Sequence, residues 1–209
     1  SSSSSKVFCT PSMASFLRHN QPWAQLVERG NVSIREVEPS DGTDPRSTRL
    51  TASVSFLPVS VPHRAELSDT VAYLITASRA RVSTDIARSD LGRPTGGTGD
   101  ALRVFYCPDT DGWSGWKKSI QDWCKEVDVA LVDATFYDKH ELKGRDMSEV
   151  SHPVVQDTVN ELEGCAAEVV LTHLNHTNPL LSKDSDERAM VLAKGFKVAT
   201  FGMEWTLEQ

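Results

Sequence analysis

Several histidine and acidic side chains of this sequence come shortly after predicted strands. Each of them could bind a metal ion: His63, Asp109, His173 and, three residues after His173, His176. In layered α/β proteins, functional side chains collect at the carboxyl ends of buried strands, because the strand is rigid and the following loop is free to vary. Imidazole nitrogens and carboxylate oxygens suit a divalent ion such as Zn²⁺, which lowers the pKa of bound water to about 7. These residues therefore predict a metal-dependent hydrolytic site.

Each of these residues also has a purely structural alternative. A histidine at a strand end often does no more than hydrogen-bond to its neighbours, and this is the alternative for His63. Asp109 could instead cap the helix that follows it or form a turn with its own backbone. His173 and His176 lie among two asparagines and two threonines. A polar cluster of this density is more than a solvated loop needs, so it favours a functional role for both histidines.

Hydrophobic periodicity and turn residues predict the elements that must position these side chains. Strands are predicted over residues 6–10, 31–38, 50–61, 70–76, 102–107, 127–132, 169–171, 196–201 and 203–207. Helices are predicted to start at residues 11, 23, 113, 153 and 184, with Pro153 in the first position of its helix. Trp113, Trp116 and Trp123 share one face of their helix and are predicted to lie in the core. Strands that alternate with helices predict an α/β layered domain.

Composition limits the classes of protein to which the chain can belong. The sequence has 209 residues, of which 39% are hydrophobic and 24% charged, and this predicts one globular domain over residues 7–209 after a flexible serine-rich tail at 1–6. The formal net charge of −7 argues against a nucleic-acid partner and against an anionic membrane surface. No apolar run is long enough to span a membrane. The four cysteines are scattered and form no C-x-x-C pair, so a reducing, cytoplasmic location is predicted.

Four motifs, taken in order, resemble the PQQ-biosynthesis protein B family, which belongs to the metallo-β-lactamase superfamily and is similar to the tRNase Z type of phosphodiesterase. The motifs occupy residues 59–73, 106–113, 133–138 together with 144–148, and 173–179. The resemblance runs from about residue 7 to the end of the chain. It implies a metallo-β-lactamase-like αββα sandwich, in which two sheets pack face to face between layers of helices.

The resemblance also implies roles for individual residues. His63 matches a histidine that ligates one metal, Asp109 matches the carboxylate that bridges two metals, and His173 matches the last histidine ligand. His176 is the alternative to His173, or a group that orients a ligand from outside the metal's own shell. The implied ion is divalent, Zn²⁺ first, with Mn²⁺ or Fe²⁺ as alternatives. The implied reaction is attack of metal-bound hydroxide on an ester or phosphodiester of a small molecule, with Asp109 as the catalytic residue that positions the nucleophile.

One signature of the superfamily is missing from this sequence. Members carry His-x-His-x-Asp-His in the first half of the fold, whereas no two of the six histidines here stand in an H-x-H spacing. The chain is therefore expected to cover roughly the C-terminal half to two thirds of the fold. A half sandwich exposes an apolar sheet face, which predicts a partner, either a second copy in a homodimer or a missing N-terminal half.

Two alternatives to a metallohydrolase stay open at the level of sequence. The first is a catalytically inactive binding or scaffold remnant of the same fold, in which the arginine-rich connection at residues 78–100 either contacts an acidic ligand or is a solvated linker. The second is a phosphatase of the haloacid-dehalogenase type, in which Asp109 and Asp111 would form a D-x-D motif that binds Mg²⁺. Pro108 and Trp113, which flank this motif, depart from that pattern.

Overall fold

The computed structural model describes residues 4–44, 46–64, 68–78, 101–141 and 151–206. Within these ranges the strands are β1 (Ser5–Cys9), β2 (Val32–Glu36), β3 (Thr48–Arg49), β4 (Val54–Ser60), β5 (Val71–Ser78), β6 (Ala101–Cys107), β7 (Val129–Asp133), β8 (Glu168–Thr172) and β9 (Lys197–Val198). The α-helices are α1 (Pro11–His19), α2 (Trp23–Glu28), α3 (Ile120–Cys124), α4 (Val155–Leu162) and α5 (Asp186–Ala193). None of the described helices has the length and apolar character that crossing a membrane requires.

Seven of the strands form one mixed sheet in the order β3-β4-β5-β6-β7-β8-β9. Neighbouring strands are antiparallel from β3 to β6 and parallel from β6 to β9. Because β4 and β6 are both antiparallel to β5, they run in the same direction, and the carboxyl ends of β4, β6, β7 and β8 reach the same edge of the sheet. This topology confirms the α/β class and brings together the loops that carry the candidate residues.

The core lies on the face of the sheet that α3 and α4 cover. One side chain from each of three strands points to this face: Leu74 from β5, Phe105 from β6 and Val132 from β7. They are buried together with Ile120 of α3 and Val155 of α4. The ring of Phe105 stacks on that of Trp123, with 5.2 Å between the ring centroids. The strands below the site are thus fixed by close packing, which gives the following loops a rigid support.

The opposite face of the sheet is also apolar, but it is covered less completely. Tyr73 and Val104 point to this face and are partly exposed, and Tyr106 is 39% exposed. The small parallel sheet of β1 and β2 reaches only one border of it, where Phe8 packs edge-on against Phe56 at 5.4 Å. The homodimer or N-terminal half expected to cover an apolar face of this kind remains a prediction.

Two predicted elements are shorter than the sequence pattern indicated. The helix predicted from Trp113 begins only at Ile120, because Gly115 adopts a left-handed backbone conformation with φ of 81°. Trp113 nevertheless packs against the core, as predicted. The strand predicted over residues 50–61 is broken at 50–53, where the Thr51 hydroxyl accepts hydrogen bonds from the amides of Ser53 and Val54 and closes a turn between β3 and β4.

Two boundaries in the second half of the chain also differ from the prediction. Pro153 lies before α4 rather than in its first position, because Val154 stays extended and pairs with Phe136 in an isolated bridge. Of the two final strands, only Lys197–Val198 forms, and residues 203–206 are not strand. Most of the arginine-rich connection, the motif at 144–148 and the first half of the serine-rich tail lie outside the described residues.

Candidate metal centre

Four side chains with metal-binding atoms converge at the edge of the sheet where β6, β7 and β8 end. One potential ligand atom from each lies within 4.8 Å of the others, and the four residues are Asp109, Asp133, His152 and His173. We call this group the candidate metal cluster. Asp109 follows β6, Asp133 ends β7 and His173 follows β8, whereas His152 comes from the segment that precedes α4. Parallel strands therefore supply three of the four groups from successive strand ends.

Asp133 is the fixed centre of the cluster. Its side chain is fully buried. One carboxylate oxygen, Oδ1, accepts hydrogen bonds from the Thr135 amide at 2.9 Å and the Thr135 hydroxyl at 2.7 Å. The other, Oδ2, accepts one from the Thr110 amide at 3.2 Å. Neutral donors hold this carboxylate in one orientation without cancelling its charge, which is the arrangement that a buried metal ligand needs.

His152 lies between the two carboxylates of the cluster. Its Nδ1 is 2.8 Å from Oδ2 of Asp133 and 3.5 Å from Oδ1 of Asp109. Burial lowers the pKa of His152, but the hydrogen bond to Asp133 and the negative charges of Asp133, Asp109 and Asp111 outweigh it, so the pKa lies above its ordinary value. The raised pKa shows that the surroundings favour a positive charge at this position.

His173 has an unusual backbone conformation. Its φ is 59°, in the left-handed region, and it is the one non-glycine residue with positive φ among the described residues. Such a conformation costs about 1–3 kcal/mol and persists only where the surroundings enforce it. It directs the imidazole toward the cluster, where Nδ1 lies 2.9 Å from the Thr135 hydroxyl and 4.0 Å from Oδ1 of Asp133. The residue with the strained backbone, directly after β8, is therefore the one that carries a potential metal ligand.

Asp109 has a carboxylate oxygen without a hydrogen-bond donor. Oδ1 is buried, and within the described part of the chain no group donates to it. His63 Nε2 approaches this oxygen to 3.1 Å, but the contact is not a hydrogen bond. A buried carboxylate oxygen left in this state is rare in folded proteins unless an ion or water satisfies it. The donor set and this unpaired oxygen therefore fit a cation.

His63 stands beside the cluster with one ring nitrogen available. Its Nδ1 lies 3.0 Å from the carbonyl oxygen of Arg64. Because a carbonyl oxygen only accepts hydrogen bonds, the proton of neutral His63 belongs on Nδ1, and Nε2 keeps its lone pair. This is the tautomer in which Nε2 can bind a metal, and the hydrogen bond on the other nitrogen fixes the ring as in known metal sites.

The structure brings together three of the four residues that the sequence singled out. His63, Asp109 and His173 lie at one edge of the sheet, while His176 is exposed and lies outside the candidate metal cluster. Sequence reasoning missed Asp133 and His152. The same rule that selected Asp109 would have found Asp133, since it ends a buried strand. His152 carries no such signal, because it lies in the loop before Pro153.

Asn178 holds the two loops of the site together. Its side chain is buried, its amide nitrogen donates to the carbonyl oxygens of Ala134 and Thr135 at 2.8 and 3.1 Å, and its Oδ1 accepts from the Leu180 amide at 3.0 Å. We expect Asn178→Ala to lower the free energy of unfolding by about 1–3 kcal/mol, because the substitution removes the hydrogen-bond partner of the Ala134 carbonyl and of the Leu180 amide. Urea denaturation measures this difference.

The matched control for this prediction is Asn175→Ala. Among the described residues, the Asn175 side chain bonds only to the exposed Thr177 hydroxyl, at 2.6 Å, so its removal should change the free energy of unfolding by less than about 0.5 kcal/mol. Equal losses in the two variants would show that Asn178 does not link the loops.

Comparison with known proteins places this chain in a family. Residues 1–174 match the model of the beta-lactamase superfamily domain. Coenzyme PQQ synthesis protein B of Azotobacter vinelandii (strain DJ / ATCC BAA-1303) is 31% identical over 118 residues, which cover 53% of this chain and 36% of that protein. The protein of the same name from Ectopseudomonas mendocina (strain ymp) is 32% identical over 122 residues, which cover 54% of this chain and 38% of that protein. The matched segment thus spans little more than a third of the length of these relatives.

A solved structure shares the fold. The 1.98-angstrom crystal structure of Zn(2+)-bound PqqB from Methylobacterium extorquens matches 95% of this chain and 61% of that chain with a TM-score of 0.68 at 20% sequence identity. This likeness confirms the predicted fold class, a metallo-β-lactamase-like fold of which this chain covers part. Since the family model extends over most of the sequence, the chain belongs to the beta-lactamase superfamily domain family and is similar to PQQ synthesis protein B.

Proposed function

We propose that this chain binds a divalent metal ion in the candidate metal cluster and takes part in metal-dependent hydrolysis of an ester-type bond in a small molecule. The observation that carries the proposal is the convergence of four ligand atoms within 4.8 Å around a buried oxygen of Asp109 that has no donor among the described residues. Ion-pair contacts bring His63 Nε2 to 3.1 Å and His152 Nδ1 to 3.5 Å from this oxygen, but neither contact is a hydrogen bond, and a cation among these groups would satisfy it.

The chemistry of the donor set limits the choice of ion. Two carboxylates and two imidazoles form the cluster, and His63 adds a third imidazole next to Asp109. Mixed nitrogen and oxygen ligands suit Zn²⁺, and they also accept Mn²⁺ or Fe²⁺. We propose Zn²⁺ first, because the similar PqqB structure is described as Zn(2+)-bound.

The residues around the ion would divide the work among them. A bound divalent ion supplies a water molecule of lowered pKa and polarises the bond under attack. Asp109 would hold the ion through its buried Oδ1, which accepts no hydrogen bond from the described residues, and would thereby position the nucleophile. Asp133 holds His152 in place through the 2.8 Å contact with Nδ1. The hydrogen bond of His63 to the Arg64 carbonyl keeps its Nε2 turned toward Asp109.

A cavity beside His63 offers a place for the substrate. It has a volume of about 480 Å³, and its lining includes His63, Ser60, Thr70 and the carboxylates of Glu38 and Asp69. This volume is typical of sites for small molecules. The two carboxylates disfavour an anionic phosphodiester and favour a neutral ester. Hydrolysis assays that compare a neutral ester with a phosphodiester test this preference.

Metal content is the first test of the proposal. Elemental analysis of the purified chain after incubation with Zn²⁺, Mn²⁺ or Fe²⁺ should find a stoichiometric ion. We expect His63→Ala and His173→Ala to lose it, because each removes a nitrogen beside the carboxylates. His140→Ala is the matched control, since His140 is exposed and is not among the cluster residues, and it should retain the ion.

The outcome separates the proposal from its main alternative. That alternative is a catalytically inactive binding or scaffold protein with the same fold, which the sequence leaves open because it carries no His-x-His-x-Asp-His signature. A chain that takes up no ion from solution supports this alternative and contradicts the proposal. A chain that binds metal but hydrolyses neither an ester nor a phosphodiester retains the metal site and loses the enzymatic part of the proposal.

A further inference from the structure

Thr110 lies beside the candidate metal cluster without belonging to it. Its side chain is fully buried between the segments that follow β4, β6 and β7. We call residues 61–64 the β4 loop and residues 108–112 the β6 loop. The amide of Thr110 donates a hydrogen bond to Oδ2 of Asp133, at 3.2 Å. A buried hydroxyl also needs a hydrogen-bond partner, and the partners of this one belong to both loops.

The hydroxyl of Thr110 connects the β6 loop to the β4 loop. Its Oγ1 lies 3.1 Å from the Pro62 carbonyl oxygen and 3.2 Å from the Gly112 carbonyl oxygen. Because carbonyl oxygens only accept hydrogen bonds, the hydroxyl donates its single proton to these two acceptors. Pro62 immediately precedes His63, so a contact between residues 48 positions apart in sequence holds the chain next to a potential metal ligand.

Neither carbonyl group depends on this hydroxyl alone. The Asp111 amide also donates to the Pro62 carbonyl, at 2.7 Å, and the Trp116 indole also donates to the Gly112 carbonyl, at 2.8 Å. Loss of the hydroxyl therefore leaves both acceptors with a partner, and a variant that lacks it should fold. The hydroxyl adds a second connection between the two loops, which restricts their movement relative to each other.

The position of His63 makes this connection relevant to the site. His63 Nε2 lies 3.1 Å from the buried Oδ1 of Asp109. The histidine belongs to the β4 loop and the carboxylate to the β6 loop, so their separation depends on how the loops are held together. Metal ligands must stay within about 0.5 Å of their productive positions. Thr110 contacts the β4 loop through its hydroxyl and Asp133 through its amide, and thus connects three parts of the site.

We propose that Thr110 is a positioning residue whose hydroxyl holds the β4 loop against the β6 loop, so that His63 Nε2 and the candidate metal cluster bind the same ion. This inference rests on the proposed metal binding and adds to it a residue that does not touch the ion. Thr110→Val replaces the hydroxyl with a methyl group, which cannot donate a hydrogen bond and needs more distance from the two carbonyl oxygens. We expect the affinity for Zn²⁺ to fall about 10-fold, as is typical when a residue that supports a metal ligand is lost.

Thr110→Ser separates positioning from packing. Serine keeps the hydroxyl but loses a buried methyl group, so it should lower the urea midpoint and yet keep the Zn²⁺ affinity within about twofold. If Thr110 served only the stability of the fold, the affinity would follow the stability instead. Thr10→Val is the matched control, because Thr10 is also buried and its hydroxyl accepts a hydrogen bond from the Met13 amide at the start of α1, at 3.3 Å. It should keep the Zn²⁺ affinity of the unsubstituted chain.

Amide hydrogen exchange in the metal-free chain gives a second measurement, which needs no ion. The Asp111 amide donates to the Pro62 carbonyl across the same contact between the loops. It should therefore exchange at least about threefold faster in Thr110→Val than in Thr110→Ser. If the valine variant fails to fold, Thr110→Ala removes the same hydroxyl and replaces it in both measurements.

The two measurements distinguish failure of this inference from failure of the proposed function. An unsubstituted chain that takes up no Zn²⁺ contradicts the proposed function, and the exchange rates then decide whether the Thr110 hydroxyl holds the loops together. Equal exchange rates in Thr110→Val and Thr110→Ser overturn the inference. So do a Zn²⁺ affinity in Thr110→Val equal to that of the unsubstituted chain, and an equal loss of affinity in Thr110→Ser.

Discussion

Asp133→Ala is expected to abolish metal binding and to lower the free energy of unfolding of the metal-free chain by about 3–5 kcal/mol. The carboxylate is fully buried, and it accepts hydrogen bonds from the Thr110 amide and from the amide and hydroxyl of Thr135. Its removal also leaves His152 without its 2.8 Å partner. Isothermal titration with Zn²⁺ measures the first effect, and urea denaturation measures the second.

Asp133→Asn separates the two effects. Asparagine has nearly the same shape, and its carbonyl oxygen can still accept the hydrogen bonds from Thr135, whereas its NH2 group cannot accept the one from the Thr110 amide, so we expect a smaller loss of stability than in Asp133→Ala. The negative charge is lost, and we expect the affinity for Zn²⁺ to fall by at least about 100-fold, more than the 10–100-fold loss typical of a residue outside the ligand shell. If Asp133→Ala still binds Zn²⁺ tightly and stoichiometrically, the ion binds outside the candidate metal cluster.

The strands that carry the site could be predicted because their patterns follow from burial. Buried parallel strands read as continuous apolar runs, and the stretches that form β6, β7 and β8 have this character. The convergence of Asp109 and His173 follows from the same pattern, since parallel strands end at one edge of the sheet. This part of the site needs only secondary structure and strand direction.

Tertiary interactions decided what the sequence could not show. The spacing of Trp113, Trp116 and Trp123 is helical, yet the first two reach the core from turns, because Gly115 breaks the helix and Trp116 donates to the Gly112 carbonyl at 2.8 Å. To pack against the core, these rings need only to reach it, and both helical and non-helical backbone conformations allow this. Periodicity therefore predicted which rings pack against the core better than it predicted where the helix begins.

His152 illustrates the same limit within the site. Its neighbour Val154 pairs with Phe136 in an isolated bridge, and the Val155 amide donates to the Phe136 carbonyl at 2.8 Å. These backbone contacts connect the start of α4 to the loop after β7 and thereby bring His152 to Asp133. No local pattern encodes this connection, because its two sides are 18 residues apart in sequence, as the pairing of residues 136 and 154 shows.

His152→Ala is expected to lower the affinity for Zn²⁺ by at least about 100-fold, because it removes a nitrogen that faces both carboxylates of the cluster. His176→Ala should change the affinity by less than about twofold, since this side chain is exposed and does not belong to the candidate metal cluster. Competition with a chromogenic zinc chelator measures both affinities under the same conditions.

This comparison decides between the ligand sets that sequence and geometry favour. If His176→Ala loses the ion and His152→Ala keeps it, the ion binds at the loop after β8, and His152 serves only to neutralise Asp133. A loss in both variants would require the loop to bring His176 into the site when metal binds. If only His152→Ala loses the ion, the segment before α4 is an essential part of the site. The ends of β6, β7 and β8 provide Asp109, Asp133 and His173, and these three groups would then be insufficient to hold the ion without His152.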